Sequence, residues 1–295
     1  MKTLIIENID PKKIGELMTV SQRFCDIPDI LALGEGQIPG IFGKAWQVEK
    51  TIAANLVSGI VDMIKKEKYE IVLMSVSTLG TGLAGPLSAA LLAPVVTEVT
   101  AIHADMVVDR PIYGGKAILK QKISSTPAIL TIRRKYFEPA ELKGTMPSVP
   151  FEGDQGKVKL VAEKQELTEG IPLEDAAVIV SGGRGMGDAD SFSMLQLMAD
   201  QVNGAVGASR GAVDEGWASP TRQIGQTGKI VAPSVYFAVG ISGASQHLAG
   251  IANSKCVVAI NKDEDANIFN RARFGMVCDY KKVVPALTQA MMEAK

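Results

Sequence analysis

The sequence predicts an α/β protein built from two open, mostly parallel sheets in tandem. Three observations carry this expectation. Apolar, β-branched runs alternate with helix-periodic segments through the first half, and the same pattern restarts at Ala176-Ala177-Val178-Ile179-Val180. The third is length: 295 residues exceed one small core and suit two domains.

In the first half, strands are expected over 3–7, 71–76, 117–123 and 128–132. The clearest helix is expected over 45–66, where Ile52, Leu56, Ile60, Met63 and Ile64 recur at helical spacing and the opposite face is polar. Residues 71–97 hold no charged side chain, which raises the question of a membrane span. Gly80, Gly82, Gly85, Pro86 and Pro94 instead divide that run into strand, loop and short helix, and a fully buried parallel strand reads as a continuous apolar run. No membrane span is expected.

Between 137 and 157, Pro139, Pro147 and Pro150 with Gly144, Gly153 and Gly156 interrupt regular structure and imply an extended excursion. A strand over 158–162 and a connection over 168–174 follow. The boundary is expected within 166–173, which gives domains 1–168 and 169–295. In the second half, strands are expected over 176–180, 205–208, 235–239 and 256–260, with helices over 192–201 and 282–293.

Composition narrows the function. Hydrophobic residues make up 46% and charged residues 21%, and the formal charge of -1 supplies no field for nucleic acid or anionic lipid. Cys25, Cys256 and Cys278 lack C-x-x-C spacing, and His103 and His247 are the only histidines, so no metal site is expected. Cys256 reads as inert core; Cys278, beside Asp279, is a candidate for modification that a bound ligand would block. The start Met1-Lys2-Thr3-Leu4-Ile5 shows neither a signal nor a transit peptide, so a cytoplasmic prokaryotic protein is expected.

The most informative stretch is Gly240-Ile241-Ser242-Gly243-Ala244-Ser245-Gln246-His247, directly after Val235-Tyr236-Phe237-Ala238-Val239. It reads as a buried strand, a tight loop and a helix start, the place where open α/β sheets bind ligands. Backbone N–H groups there suit a phosphate, and Gln246 and His247 can reach a heterocycle. Other polar groups at strand ends are Arg184, Ser209-Arg210 and Asn261, and the loop Gln223-Ile224-Gly225-Gln226-Thr227-Gly228-Lys229 allows close backbone approach. The glycine turn Ser181-Gly182-Gly183-Arg184-Gly185-Met186-Gly187 misses the G-x-G-x-x-G fingerprint, and Ser209-Arg210 stands where a nicotinamide site carries an acid. That turn serves either close helix packing or an adapted nucleotide site.

Five segments resemble, in order and spacing, the alpha subunit of electron transfer flavoprotein. They are Ser181-Gly182-Gly183-Arg184-Gly185, Gly207-Ala208-Ser209-Arg210, residues 225–233, residues 236–250 and Ala259-Ile260-Asn261-Lys262. The first half agrees in length and in Tyr113-Gly114-Gly115-Lys116-Ala117, less distinctively. The resemblance implies a Rossmann-like FAD-binding second domain and a heterodimer whose beta subunit closes the site and holds AMP, or a second FAD in bifurcating relatives. The first domain would contact that partner and carry no cofactor of its own.

On the same resemblance, Arg184, Ser209, Arg210, Ile224, Gly225, Gln226, Thr227, Ser242, Gly243, Ala244, Ser245, Gln246, His247, Asn261, Asp279 and Tyr280 fall on FAD-contact positions. Arg210 would lie over the flavin ring, Thr227 near N5, and His247 near the pyrimidine carbonyl, with the helix N-terminus favouring neutral imidazole. Read alone, His247 also fits a core histidine bonded to backbone, and Thr227 a turn hydroxyl bonded to its own backbone. Ser245 and Arg273 depart from the family pattern. Arg271 and Arg273 read as a solvated face, with pyrophosphate contact as the other option.

The function implied is an electron carrier rather than an enzyme. It would take single electrons from flavin dehydrogenases of the acyl-CoA dehydrogenase type and pass them to a quinone reductase or another acceptor. The alternatives are a bifurcating alpha subunit working with NADH and ferredoxin, an NAD-dependent enzyme on a similar sheet, and a purely structural subunit.

Overall fold

The computed structural model describes residues 1–49, 52–115, 117–152, 158–159, 161 and 170–294. The chain divides into two compact units, Met1–Lys164 and Gln165–Lys295. Residues 166–169 of the expected boundary lie outside the described residues.

The first unit runs β1 (Thr3–Asn8), α1 (Pro11–Ser21), β2 (Asp29–Leu33), β3 (Ile38–Pro39), β4 (Ala45–Val48), α2 (Val57–Glu67), β5 (Ile71–Ser75) and α3 (Thr78–Leu91). It continues through β6 (Val95–Val99), β7 (Ala101–Ile102), β8 (Val107–Ile112), β9 (Ala117–Lys122), β10 (Ala128–Ile132), β11 (Thr145–Met146) and β12 (Val149–Pro150). The main sheet has the order β12-β4-β2-β1-β5-β10-β6 with every pairing parallel. Ile14, Leu17 and Val20 of α1 cover one face, and Ile60 and Ile64 of α2 with Leu83 and Leu87 of α3 cover the other. The continuous apolar runs β1, β2, β5 and β10 are buried because both faces are covered.

Several expectations for this unit need correction. The helix predicted over 45–66 begins as strand β4, where Trp46 and Val48 pair beside β2, and α2 starts only at Val57. Helical spacing from Ile60 onward extended the pattern too far back, and Leu56 is buried just ahead of the helix rather than inside it. The run 71–97 does divide into strand β5, helix α3 and the start of β6, but Gly80, Gly82, Gly85 and Pro86 lie within α3 rather than at its breaks, and α3 is capped by the Ser77 side chain, which accepts from Gly80 N at 3.1 Å. The strand at 117–123 belongs to a separate antiparallel sheet, β7-β8-β9. Within the predicted excursion, Val149–Pro150 pairs with β4, and Thr145–Met146 pairs with β3. Of the strand predicted over 158–162, the described residues 158, 159 and 161 are not in a strand and the rest lie outside the described residues.

The second unit runs β13 (Val178–Gly182), α4 (Ser191–Gln201), β14 (Ala205–Ala208), α5 (Arg210–Asp214), β15 (Val235–Val239), α6 (Ser245–Ile251), β16 (Cys256–Asn261), β17 (Phe274–Val277) and α7 (Tyr280–Glu293). Its sheet has the order β14-β13-β15-β16-β17, all parallel. The chain leaves β13 for β14 on one side and returns as β15 on the other, so strand order reverses between β13 and β15. Leu195 and Met198 of α4 and Val284 of α7 fill one face; Ile251 of α6, Ile224 and Ile268 fill the other. The sequence did not disclose α5 or β17, both short. Cys256 is half-buried rather than core.

Candidate functional site

A cavity of about 590 Å³ opens at the carboxyl ends of β13, β14, β15 and β16, at the point where strand order reverses. That is the ligand position of open parallel sheets, and the volume is of ligand-pocket size. Arg184 follows β13, Ser209 and Arg210 follow β14, Ser242, Ala244, Gln246 and His247 come from the loop and helix after β15, and Asn261 ends β16. Ile224, Gly225, Gln226 and Thr227 close the wall from the long connection between α5 and β15.

Each group is held by local chemistry. Ser209 caps α5, its Oγ accepting from Ala212 N at 3.4 Å, which sets Arg210 as the first helical residue. Arg210 is 70% exposed, with Nε 3.4 Å from the Asp214 carboxylate one turn on. Thr227 Oγ1 accepts from Gln223 Nε2 at 3.0 Å, so the partner is a side chain and not its own backbone. Gln226 N donates to Gln246 O at 2.8 Å, tying this loop to α6. Asn261 Nδ2 donates to Ile241 O at 3.0 Å, and Asn261 Oδ1 accepts from Asp263 N at 3.1 Å.

His247 stands apart because it is buried on the cavity wall. Its Nε2 lies 2.9 Å from the Tyr236 hydroxyl, so its well-formed hydrogen bond is to a phenol, and the Ile224 backbone is a weaker second contact. Nδ1 is buried and makes no hydrogen bond of good geometry. Burial pushes the imidazole pKa down to about 4, and the Ile224 backbone opposes that shift only in part. Burial therefore keeps this ring neutral.

Four predicted contact residues are not on this wall, and two of them line neither cavity. Gly243 is buried at φ +82°, and a Cβ there would sit 2.2 Å from Ile268 N, so it serves the turn rather than the cavity. Ser245 begins α6 and is exposed. Asp279 and Tyr280 line a neighbouring cavity of about 250 Å³ that shares Gly185, Gly240 and Asn261 with the first. Asp279 caps α7 through Lys281 N at 2.9 Å, and the Tyr280 hydroxyl is 2.9 Å from Ser191 Oγ. Arg271 donates to the carbonyls of Ala252 and Ser254, and Arg273 lies over Phe274, so Arg271 is neither a phosphate ligand nor a plain solvated charge. Cys278 lines the smaller cavity beside Asp279.

Gly211 and Asp263, which also line the larger cavity, were not among the expected residues, and Gly185, Gly240 and Ile241 were named in motifs without a contact of their own. It named Gln223 without giving it a role. Tyr236 was read only as strand core; the one available signal was a phenol in an otherwise apolar run. Among the described residues there is no cluster fit for a metal, and no helix is long and apolar enough to cross a membrane.

Residues 172–252 match the electron transfer flavoprotein FAD-binding domain, and residues 45–164 match the electron transfer flavoprotein domain. The electron transfer flavoprotein subunit alpha of Pseudomonas aeruginosa is 41% identical over 228 residues, covering 76% of this chain and 74% of that protein. This chain belongs to the electron transfer flavoprotein alpha-subunit family. The Paracoccus denitrificans subunit alpha is 47% identical over 196 residues, covering 66% of this chain and 64% of its own length. A mitochondrial subunit alpha from Oryza sativa subsp. indica is 40% identical over 240 residues, covering 78% and 67%.

Family membership makes FAD the cofactor of the second domain and makes the chain a carrier component rather than an NAD-dependent enzyme. The residues present fit such a group. Two arginines stand at the cavity mouth, and a buried ring nitrogen on its wall lacks a hydrogen bond of good geometry.

Proposed function

We propose that this chain is the FAD-binding subunit of a heterodimeric one-electron carrier, and that the cavity of about 590 Å³ at the reversal of strand order receives the flavin. The observation that carries the reading is the convergence of four strand ends, with Arg184 and Arg210 at one mouth; three of the ends and both arginines lie within the segment that matches the FAD-binding domain, and Asn261 lies just beyond it. The smaller cavity beside Asp279 and Tyr280 takes the remainder of the dinucleotide.

Bound FAD supplies the redox chemistry, and the protein sets its position and potential. Arg210 brings a permanent positive charge that favours whatever bound form carries the more negative charge. Thr227, whose oxygen accepts from Gln223, keeps its own proton to donate into the cavity. The Gly225 and Gln226 backbone closes one side without bulk.

The donor is a flavin dehydrogenase of the acyl-CoA dehydrogenase type and the acceptor a quinone reductase or another carrier, with a beta subunit completing the site. The test is co-expression with the beta subunit under ample riboflavin, followed by a count of released nucleotides. One FAD and one AMP per heterodimer is the expected result, with reduction by a flavin dehydrogenase. Two FAD would replace the shuttle by a bifurcating complex, and a colourless heterodimer would remove the reading.

A further inference from the structure

Tyr236 is the largest fully buried side chain of its strand, and a buried phenol must place its proton on an acceptor. Its hydrogen-bond partner is His247 Nε2 at 2.9 Å, with the two rings 6.1 Å apart and tilted by 55°. Burial raises the phenol pKa well above its ordinary value, against a smaller opposing effect from Ser181, so the oxygen keeps its proton. Burial also disfavours the imidazolium. The Ser181 hydroxyl acts on the phenol oxygen as a donor, since it lowers the phenol pKa, which leaves Nε2 as the acceptor of the phenol proton.

Neutral imidazole holds one ring proton, so it resides on Nδ1. That N–H is buried on a residue that lines the cavity and makes no hydrogen bond of good geometry, the Ile224 backbone opposing the effect of burial only in part, which leaves much of the desolvation penalty of an unmade hydrogen bond. An acceptor bound in the cavity removes the penalty. We propose that Tyr236 is a positioning residue: its hydroxyl locks His247 in the Nδ1–H form and reserves that N–H for a carbonyl acceptor in the cavity. This rests on the FAD reading above only for the identity of the acceptor, the pyrimidine carbonyl of the flavin.

The test uses the full chain labelled with 15N-histidine. Two histidines are present, so His103→Gln assigns the His247 signals. In the FAD-free chain, two-bond proton–nitrogen correlations should show a protonated Nδ1 and a bare Nε2. In Tyr236→Phe, which keeps the ring and loses only the hydroxyl, both tautomers should be populated. In the FAD-loaded heterodimer, Tyr236→Phe should lower the equilibrium constant for the first one-electron reduction about three- to tenfold, the worth of one hydrogen bond. Because Tyr236 acts through His247, the same substitution should change nothing further in a His247→Ala background.

A protonated Nε2 in the wild-type FAD-free chain overturns the proposal and leaves the FAD reading in place. An unchanged reduction equilibrium in Tyr236→Phe, or an equal loss in the His247→Ala background, also overturns it. If no flavin is bound at all, the failure belongs to the FAD reading, and the tautomer in the FAD-free chain still decides the part played by Tyr236.

Discussion

Gly225 and Gly250 meet backbone to backbone: a Cβ on Gly250 would lie 2.5 Å from both the Cα and the N of Gly225. The contact holds the loop bearing Gln226 and Thr227 against α6, and two further bonds, Gln226 N to Gln246 O and Val231 N to Gly250 O, reinforce it at 2.8 Å each.

Gly250→Ala should push that loop outward, because backbone cannot yield as a flexible side chain does. Overpacking of this kind costs roughly 1–3 kcal/mol. The expected outcome is a lower unfolding midpoint and faster loss of flavin on dilution, read by thermal unfolding and flavin fluorescence. Gly85→Ala is the contrast: beyond its chain neighbours its Cβ would meet nothing within 4 Å on helix α3, and the following Pro86 offsets the helix propensity gained, so stability should change by less than about 1 kcal/mol with flavin retention unaltered. Equal behaviour of the two variants would remove the argument.

Arg210→Ala should lower the first reduction potential of the flavin and leave the fold intact. A cation ~4 Å from the ring at an effective dielectric near 20 contributes about 4 kcal/mol at most. That corresponds to an upper bound of ~170 mV for one electron. Exposure of 70% and the Asp214 carboxylate at 3.4 Å reduce it, so a fall of several tens of millivolts is expected. Redox titration with an unchanged potential would place Arg210 away from the flavin, and Arg210→Lys should retain most of the wild-type value.

His247 makes stability depend on pH in a defined direction. Its pKa falls from an ordinary 6.5 to about 4 in the folded chain. Between those values the unfolded chain binds a proton that the folded chain does not. Stability therefore declines as pH falls from about 6.5 toward 4 and is fully present above 6.5. The decline attributable to this group is ~3 kcal/mol at most. Urea unfolding across that window should be steeper in pH for the wild-type chain than for His247→Gln, and parallel profiles would contradict the burial argument.

The strands that carry the site were legible because each is buried on both faces and reads as an uninterrupted apolar run: 205–208 and 235–239 match β14 and β15 end for end. Helix α7 was legible through its amphipathic spacing, though it starts at Tyr280 rather than 282. The start of the predicted helix at 45 was misread because one or two apolar side chains satisfy both periods; the pairing of Trp46 with Leu31 decided for the strand.

The linear order of residues was enough to establish two parallel-sheet units, the polar loops at strand ends and the family, since each of these resides in local runs and fixed spacings. Tertiary structure alone decided that Asp279 and Tyr280 border a second cavity, that Gly243 serves the turn, and that the imidazole of His247 faces the hydroxyl of Tyr236. Those relations join atoms from separate elements, where strand register and helix packing set the distances, and no local pattern encodes them.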